Sequence, residues 1–224
     1  MAYQAIVNGE VTIDMDEVAD AAGNDAADKP SFYISEESQQ HKFTCRACDE
    51  FNDILGRFGY CSHCGTRNDL VEFEDGAVVE IRDRLNSGAP PQNCVREAVS
   101  AFDSFVAQHA KQLAEQVPMT DRRISRLTKS RFHGLDDTQK IFRDWFDIDI
   151  CEGIKDAEIS RIKLMFYRRH IYEHNGGEVD QKYLDESGDT TVRLKQVIRE
   201  TQEGAHELLW ALVKMARKLH AGFH

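Results

Sequence analysis

The chain has 224 residues, of which 41% are apolar and 30% charged, so it can bury a core and is not disordered throughout. No apolar run reaches the roughly 18 residues of a membrane span, and no basic N-terminal region precedes an apolar stretch. We therefore expect a cytoplasmic protein with no membrane partner. The net charge of −11 arises mostly in residues 1–40, which hold nine carboxylates against Lys29 alone. It does not exclude a nucleic-acid partner, because surfaces elsewhere can be basic.

The N-terminal segment predicts short strands. Apolar residues flank Asn8-Gly9, a dipeptide typical of a type I′ turn, so residues 5–13 are a predicted β-hairpin. Residues 14–29 are acidic and alanine-rich, and they fit either a loop or a marginal helix. Residues 31–34 fit a further strand.

Two C-x-x-C pairs follow and predict a metal site. The spacing C-x2-C-x12-C-x2-C is formed by Cys45, Cys48, Cys61 and Cys64. Four thiolates at this spacing are typical of a structural zinc ion, and iron in a rubredoxin-like centre is the alternative. Gly65 directly follows the second pair, as a tight metal-binding turn requires. We expect this ribbon to have a structural role or to contact a protein partner.

From about Val71 the apolar residues recur at three- and four-residue steps, which predicts helices. A short helix covers residues 78–85 and ends at Gly88. A long amphipathic helix then runs from about Gln92 to Gln116 and stops before Pro118.

Three more helices are predicted after Pro118. Asp136 and Asp137 are expected to cap a helix that runs through Phe146. Asp156 is expected to cap the next, which ends at Asn175-Gly176-Gly177. The last spans about 191–219. Its predicted apolar stripe consists of Leu194, Val197, Ile198, Leu208, Leu212 and Met215.

Two features of the helical part concern function. Cys94 and Cys151 fall within helical patterns, and we expect both to be core-facing apolar residues. Five basic side chains also crowd into ten positions: Arg122, Arg123, Arg126, Lys129 and Arg131. This basic cluster is predicted to lie in the connection out of the first long helix, either as a solvated loop or as a contact to an RNA backbone.

The elements together predict a mainly α protein with a small N-terminal β-rich zinc ribbon. The predicted domains are an acidic segment with the hairpin at 1–40, the zinc ribbon at 41–75, a short helix and linker at 76–91, and a helical bundle at 92–224.

The helix that ends at Asn175 carries Arg169, His170 and His174. Arg169 falls on the apolar face of this helix, where a guanidinium needs a carboxylate, carbonyl groups or a bound anion. His174 lies in the last turn, where the helix dipole favours a protonated imidazole by about 0.3–1 kcal/mol. Such a pair suits phosphodiester chemistry, because the histidine moves a proton and the arginine stabilises charge on the phosphate. A structural role is the alternative, and His170 with His174 could also hold a metal.

This stretch resembles the HEPN domain, a helical bundle whose signature is an Arg, usually followed by a polar residue, and a His with four to six residues between the two. Arg169, His170 and His174 match the signature, and the following N-G-G-x-V-D-x-K-Y-L strengthens the likeness. The resemblance covers about residues 92–220, whereas residues 1–70 share nothing with the family. It implies an up-and-down HEPN-like bundle.

The resemblance also implies an activity. Many HEPN proteins are metal-independent endoribonucleases of toxin or defence type, which act as dimers with two motifs in one cleft, and others have no known cleavage activity. Carried over, it makes Arg169 the phosphate-binding group, His174 the acid/base and His170 a polar assistant, in an attack of the RNA 2′-hydroxyl on the adjacent phosphate. Arg168 could add a phosphate contact or be a solvated charge, and Asn175 could orient His174.

The expected partners are RNA, a second copy of the chain bound through the bundle, and a protein at the zinc ribbon. On an unbroken helix Arg169 and His174 point about 140° apart. Either the helix distorts near Ile171, or a second chain completes the site. The alternative function is a non-catalytic module that binds a protein or a ligand, which the acidic N-terminal segment favours. A sequence-reading DNA-binding ribbon would need a clustered basic face that residues 41–75 lack.

Overall fold

The computed structural model of the chain describes residues 4–7, 10–13 and 40–223. Strands β1 (Gln4–Val7) and β2 (Glu10–Ile13) pair antiparallel with Val7 opposite Glu10. The strands of the predicted N-terminal hairpin are therefore confirmed. The predicted features outside the described residues are the Asn8-Gly9 turn, the segment 14–29 and the strand 31–34.

A second antiparallel pair flanks the first two cysteines along the chain. Strand β3 (Gln40–Thr44) pairs with β4 (Phe51–Leu55), with Thr44 opposite Phe51. The connection between these strands contains Cys45 and Cys48, so the chain reverses direction where it carries the first cysteine pair.

Helices make up most of the remainder. In chain order they are α1 (Asp69–Val71), a π-helical segment (Glu72–Ala77), α2 (Val78–Asn86), α3 (Pro91–Gln116), α4 (Asp121–Lys129), α5 (Leu135–Phe146), α6 (Asp156–His174), α7 (Gln181–Ser187) and α8 (Gln202–Phe223). In the described part of the chain, no helix is both long enough and apolar enough to cross a membrane.

Helix α3 is the centre of the core. Pro91 occupies its first position, where a missing N–H costs nothing, and the helix ends before Pro118, as predicted. Helices α8, α6, α2 and α4 all pack against it. The core contains Val95, Val99, Phe102 and Val106 of α3, Ile162, Met165 and Phe166 of α6, and Leu208, Leu212 and Met215 of α8. Cys94 and Cys151 belong to the same core, which confirms their predicted burial.

A smaller apolar cluster lies beside the end of α6. It consists of Ile171, Val179, Tyr183 and Ile198. Asp180 accepts a hydrogen bond from the backbone N–H of Tyr183 at 2.8 Å and so caps α7. This cluster fixes the segment that follows the Arg–His motif.

Several predicted boundaries are wrong. The basic cluster is not a plain loop, because four of its five residues form α4. Asp136 and Asp137 lie in the first turn of α5 rather than at its cap, which is Gly134. Likewise Asp156 is the first residue of α6, after the cap Lys155.

The last helix begins at Gln202 rather than Thr191. Leu194 and Val197 are 49% and 52% exposed, so the first part of the predicted stripe is absent. Ile198 is buried, but it belongs to the smaller cluster and not to the face of α8.

The fold class is confirmed: the described part of the chain is mainly helical, with two small antiparallel strand pairs toward the N-terminus. The chain divides into two compact units. One contains β1 to β4, and the other contains Cys45–Glu50 and Phe58–His224, that is, both cysteine pairs together with the helices. The domain boundaries at residues 40, 75 and 91 and the HEPN likeness stay predictions.

Candidate functional site

The four predicted metal ligands lie together. The sulfur atoms of Cys45, Cys48, Cys61 and Cys64 are all within 4.8 Å of one another. Cys45 Sγ is 3.5 Å from Cys64 Sγ, and Cys48 Sγ is 3.6 Å from Cys61 Sγ. A tetrahedral ion with sulfur ligands at about 2.3 Å needs sulfur atoms about 3.8 Å apart. The cluster therefore has the size of a tetrathiolate metal site.

The two cysteine pairs lie on two separate backbone turns of the same kind. The N–H of Asp49 donates to the carbonyl of Cys45 at 2.8 Å, and the N–H of Gly65 donates to the carbonyl of Cys61 at 2.9 Å. Asp49 and Gly65 both have a left-handed φ, of 58° and 75°. Glycine adopts this conformation without steric cost, which accounts for Gly65. The two turns thus present their thiolates in equivalent ways.

The first cysteine turn is joined to the helices by ion pairs. Arg46 contacts Glu74 at 3.0 Å and also contacts Asp75, both in the π-helical segment. Glu74 also pairs with Arg217 of α8. The carboxylate of Glu74 therefore links Arg46, which lies between Cys45 and Cys48 in sequence, to α8 of the core.

A second link follows the second cysteine turn. Arg67 donates to Asp69 at 2.7 Å, and Gln112 of α3 donates to the same carboxylate at 2.8 Å. Asp69 is only 1% exposed, so these donors replace the water that a buried carboxylate loses. Both links lie within the larger compact unit.

The Arg–His motif lies on an uninterrupted helix. Helix α6 is regular from Asp156 to His174 and ends at Asn175, whose N–H donates to the carbonyl of Ile171 at 2.9 Å. Gly177 then has a φ of 91°, and its N–H donates to the same carbonyl at 3.0 Å. The predicted end of this helix is confirmed. The alternative of a distortion near Ile171 is not seen.

Arg169 points toward α3 and the segment before α5. Its Nε donates to Ser100 Oγ at 3.4 Å, and an Nη1 lies 3.2 Å from Nδ1 of His133. His133 Nε2 lies 2.9 Å from Asp103 Oδ2. Because a guanidinium only donates, Nδ1 must accept, which assigns the ring proton to Nε2 and makes it a donor to Asp103. The result is a hydrogen-bonded chain from Asp103 through His133 to Arg169.

The electrostatics of His133 agree with this arrangement. Burial lowers its pKa below the ordinary value, and the positive charges of Arg169 and Arg131 lower it further, against the opposing effect of Asp103. A neutral ring is the form that can accept from Arg169. Arg131, the last residue of the basic cluster, thus contributes to the electrostatic environment of His133.

Arg168 has a different environment from its neighbour. It donates to Asp189 and Glu200, each at 3.1 Å, and to the Tyr183 hydroxyl at 3.2 Å. Asp189 and Glu200 side chains are 1% and 5% exposed. The prediction of a solvated charge is wrong for Arg168. Its guanidinium is engaged by two buried carboxylates, which leaves it poorly placed for the predicted phosphate contact.

The two motif histidines lie together on another side of α6. The rings of His170 and His174 are 4.7 Å apart. Burial lowers the pKa of His170, and nearby Lys182 and His174 add to the effect. Asn175, predicted to orient His174, instead donates to Asp180 at 2.7 Å. Among the described residues, only the four cysteines form a group of three or more side chains able to hold a metal, so His170 and His174 gain no third ligand there.

A pocket of about 370 Å³ opens beside His133. Its lining includes Phe166 and Tyr167 of α6, adjacent in sequence to the motif, together with Lys163 and Glu186. The pocket is therefore next to the Asp103–His133–Arg169 chain and contains both aromatic and charged groups.

Sequence reasoning missed Ser100, Asp103 and His133. None of them forms a sequence motif with Arg169, and His133 is 36 positions away from it. The one available signal was the position of Arg169 on an apolar face, which requires polar partners from elsewhere.

Comparisons with protein-family models, curated proteins and solved structures gave no match to the chain.

Proposed function

We propose that this chain is a cytoplasmic, metal-independent RNA endonuclease of toxin or defence type, in which Arg169 binds the scissile phosphate and His174 transfers a proton. The state of Arg169 is the main support. Its guanidinium is partly buried and contacts a neutral imidazole and a hydroxyl. Within residues 41–222, no carboxylate is at ion-pair distance from it. An arginine without a carboxylate partner is suited to an anionic ligand.

The contrast with Arg168 strengthens this choice. Both residues are partly buried on α6, but the charge of Arg168 is balanced by Asp189 and Glu200. A phosphate would compete with two buried carboxylates for Arg168, whereas at Arg169 it would replace only the neutral partners Ser100 and His133. We therefore assign the phosphate contact to Arg169 alone.

We further propose that the working form is a two-fold dimer. Helix α6 is unbroken, so Arg169 and His174 of one chain point about 140° apart and are unsuited to hold one phosphate together. A two-fold axis that brings the ends of two α6 helices face to face would place Arg169 of one chain near His174 of the other. His170 would remain a polar assistant beside His174.

Zinc is the metal that we propose for the four cysteines, with a structural role. The sulfur cluster has tetrahedral dimensions and two equivalent turns, which fits zinc in closed four-thiolate sites. Elemental analysis of the purified protein should give one zinc ion per chain. Iron in its place would indicate the rubredoxin-like alternative.

The nuclease proposal is tested by incubating purified protein with mixed-sequence RNA and with DNA of the same sequence, both in EDTA. RNA should be cut and DNA should not, because the nucleophile is the 2′-hydroxyl. Arg169→Ala and His174→Ala should each abolish cutting with unchanged helicity, and Lys155→Ala, at the other end of α6, serves as the control. Mutants that cut like the parent would assign the activity elsewhere.

The shared cleft is tested by mixing the two inactive variants. Chains that carry Arg169→Ala and chains that carry His174→Ala should recover part of the activity together, because one half of the mixed cleft is intact. No recovery, or cleavage by a chain that stays monomeric, would contradict the dimer.

A protein-binding module is the second candidate. Strand β4 presents Phe51 and Leu55 on one side, at 60% and 59% exposure. Exposed aromatic and aliphatic side chains on one strand face are typical of protein contacts. If RNA stays intact in the nuclease test, a Phe51→Ser, Leu55→Ser double variant that loses a co-purifying protein would favour this function.

A further inference from the structure

We propose that His133 is a catalytic base for the same reaction. Asp103 orients its ring, and a hydrogen bond joins the ring to Arg169. This inference rests on the nuclease function proposed above. It adds a second proton-transfer group, which the Arg–His motif alone does not supply.

The geometry carries this role. Nε2 of His133 donates to Asp103 at 2.9 Å, so the lone pair on Nδ1 faces Arg169 at 3.2 Å. The other carboxylate oxygen of Asp103 accepts from the backbone N–H of Phe132. Phe132 is buried, so this carboxylate is itself anchored. An aspartate that fixes the tautomer of a histidine leaves its other nitrogen unprotonated and directed at the substrate.

A substrate can also reach His133. The side chain of His133 is 28% exposed and lines the pocket of about 370 Å³ with Phe166 and Tyr167. A nucleotide whose phosphate binds Arg169 can place its ribose in this pocket. When Arg169 turns from Nδ1 to the phosphate, the lone pair on Nδ1 becomes free for the 2′-hydroxyl.

The step balances with two histidines. His133 Nδ1 takes the proton of the 2′-hydroxyl, the O2′–P bond forms, and the P–O5′ bond breaks. O5′ takes a proton from the imidazolium of His174 of the partner subunit. The products are a 2′,3′-cyclic phosphate and a 5′-hydroxyl, with no oxidant, reductant or metal involved.

The decisive variant is His133→Asn. The asparagine oxygen can still accept from Arg169, so the variant keeps the positioning contact but cannot take a proton. With a mixed-sequence RNA oligonucleotide we expect cleavage to fall roughly a hundredfold or more. Helicity should be unchanged. The affinity for a DNA oligonucleotide of the same sequence, which lacks the 2′-hydroxyl and so reports binding alone, should also be unchanged.

The pH profile separates a base from a structural residue. In the parent, kcat/KM should fall on the acidic side as His133 becomes protonated, and this limb should be absent in His133→Asn. The other charged groups near His133 are Asp103, Arg169, Arg131, Asp136, Asp137, Lys163 and Glu186. Ordinary carboxylates titrate well below an imidazole and the basic groups well above it.

Three outcomes would overturn the role. One is a His133→Asn variant that cleaves within a few-fold of the parent, and another is slow cleavage with the acidic limb intact. Either result would leave the nuclease function standing. A parent protein that leaves RNA intact would refute both the function and this inference.

Mixing experiments give a second, independent reading. His133 and Arg169 belong to the same half of the proposed cleft, so His133→Asn chains should recover activity when mixed with His174→Ala chains. They should not recover it with Arg169→Ala chains. Recovery with Arg169→Ala chains would show that His133 and Arg169 of one chain act in different halves of the cleft, which contradicts the proposal. If Arg169→Ala chains recover activity with His174→Ala chains but His133→Asn chains do not, the placement of His133 beside Arg169 in one half of the cleft is overturned.

Discussion

At the scale of single residues, Arg168 and Arg169 show how neighbours on one helix take different roles. Adjacent helical positions differ by about 100° in direction, so Arg168 faces the cluster of Tyr183, Asp189 and Glu200. Arg169 faces His133 instead. The first arginine balances buried charge, and the second keeps a charge that no described carboxylate balances.

Removal of Arg168 should therefore destabilise the fold. Arg168→Ala would leave two buried carboxylates without their cation, and breaking such a pair typically costs about 3–5 kcal/mol. Urea denaturation followed by circular dichroism should show this loss of unfolding free energy. Arg169→Ala is the matched control and should lose only about 1 kcal/mol, because its partners are the neutral groups of Ser100 and His133. Equal losses in the two variants would contradict the division of roles.

The same cluster predicts a pH dependence of stability. Burial acts to raise the pKa of Asp189, but hydrogen bonds from Thr191, Tyr183 and Arg168 outweigh it and lower the pKa to about 2. A carboxyl group with a depressed folded pKa stabilises the protein above its unfolded pKa of 3.8. This stabilisation is lost as the pH falls toward 2. Asp189→Asn should weaken the acid dependence of the urea midpoint between these values, and an unchanged dependence would assign it to other carboxylates.

The residues of the site could be predicted only in part. The four cysteines can be grouped from the sequence because their spacing is local, and they do lie together. Arg169 and His174 are close in sequence on one helix, and their role stays a prediction. The partners of Arg169 come from α3 and from the segment before α5. Such contacts depend on tertiary packing, which no sequence spacing records.

At the scale of elements, prediction succeeded where apolar periodicity and stop signals agreed. Helix α3 has both, and its predicted bounds match the observed Pro91–Gln116. The start of α8 was misplaced because Leu194 and Val197 keep helical spacing while exposed on an irregular segment. Helix α4 is not predictable from apolar periodicity, because most of its residues are charged and Leu127 is its one buried residue.

Helix α4 carries two exposed arginines beside one aromatic ring. Arg123 and Arg126 are exposed, and the guanidinium carbon of each lies 5.3 Å from the centre of the Trp145 ring. If this face binds the RNA backbone, Arg123→Glu with Arg126→Glu should weaken binding equally across RNA sequences. The slope of log K against log salt should fall by about 0.7 for each phosphate that the variant no longer neutralises.

Binding is best measured by fluorescence anisotropy in the His174→Ala background, which should leave the RNA intact. Arg82→Glu, an exposed charge reversal on α2, is the control and should bind like the parent. Unchanged affinity in the α4 variant would make this face a solvated surface.

At the scale of the whole molecule, the cysteine turns are part of the helical unit. Arg46 and Arg67 connect them to the π-helical segment, to α1 and, through shared carboxylates, to α8 and α3. The sequence suggested a ribbon separable from the bundle. Both cysteine pairs belong to the compact unit that contains the helices, and these long-range contacts lie within that unit.

Metal removal should therefore lower the stability of the helices. Cys61→Ser or chelation should lower the melting temperature followed by the helical signal, and a loss of about 2 kcal/mol corresponds to roughly 4–8 °C for a chain of this size. Cys151→Ser is the control, because Cys151 is buried but lies outside the group of four cysteines. That variant should still respond to EDTA, whereas Cys61→Ser should not respond further. A helical melting curve indifferent to chelation would show that the cysteine turns do not stabilise the bundle.

The chemistry of the RNA ends after cleavage in EDTA tests the proposed nuclease activity most directly. Attack by the 2′-hydroxyl, with Arg169 on the phosphate and histidines moving the protons, must leave a 2′,3′-cyclic phosphate and a 5′-hydroxyl. Mass spectrometry of the fragments should find these ends with the parent protein and no fragments with Arg169→Ala. Intact RNA, or fragments that end in a 3′-hydroxyl and a 5′-phosphate, would contradict cleavage by the 2′-hydroxyl.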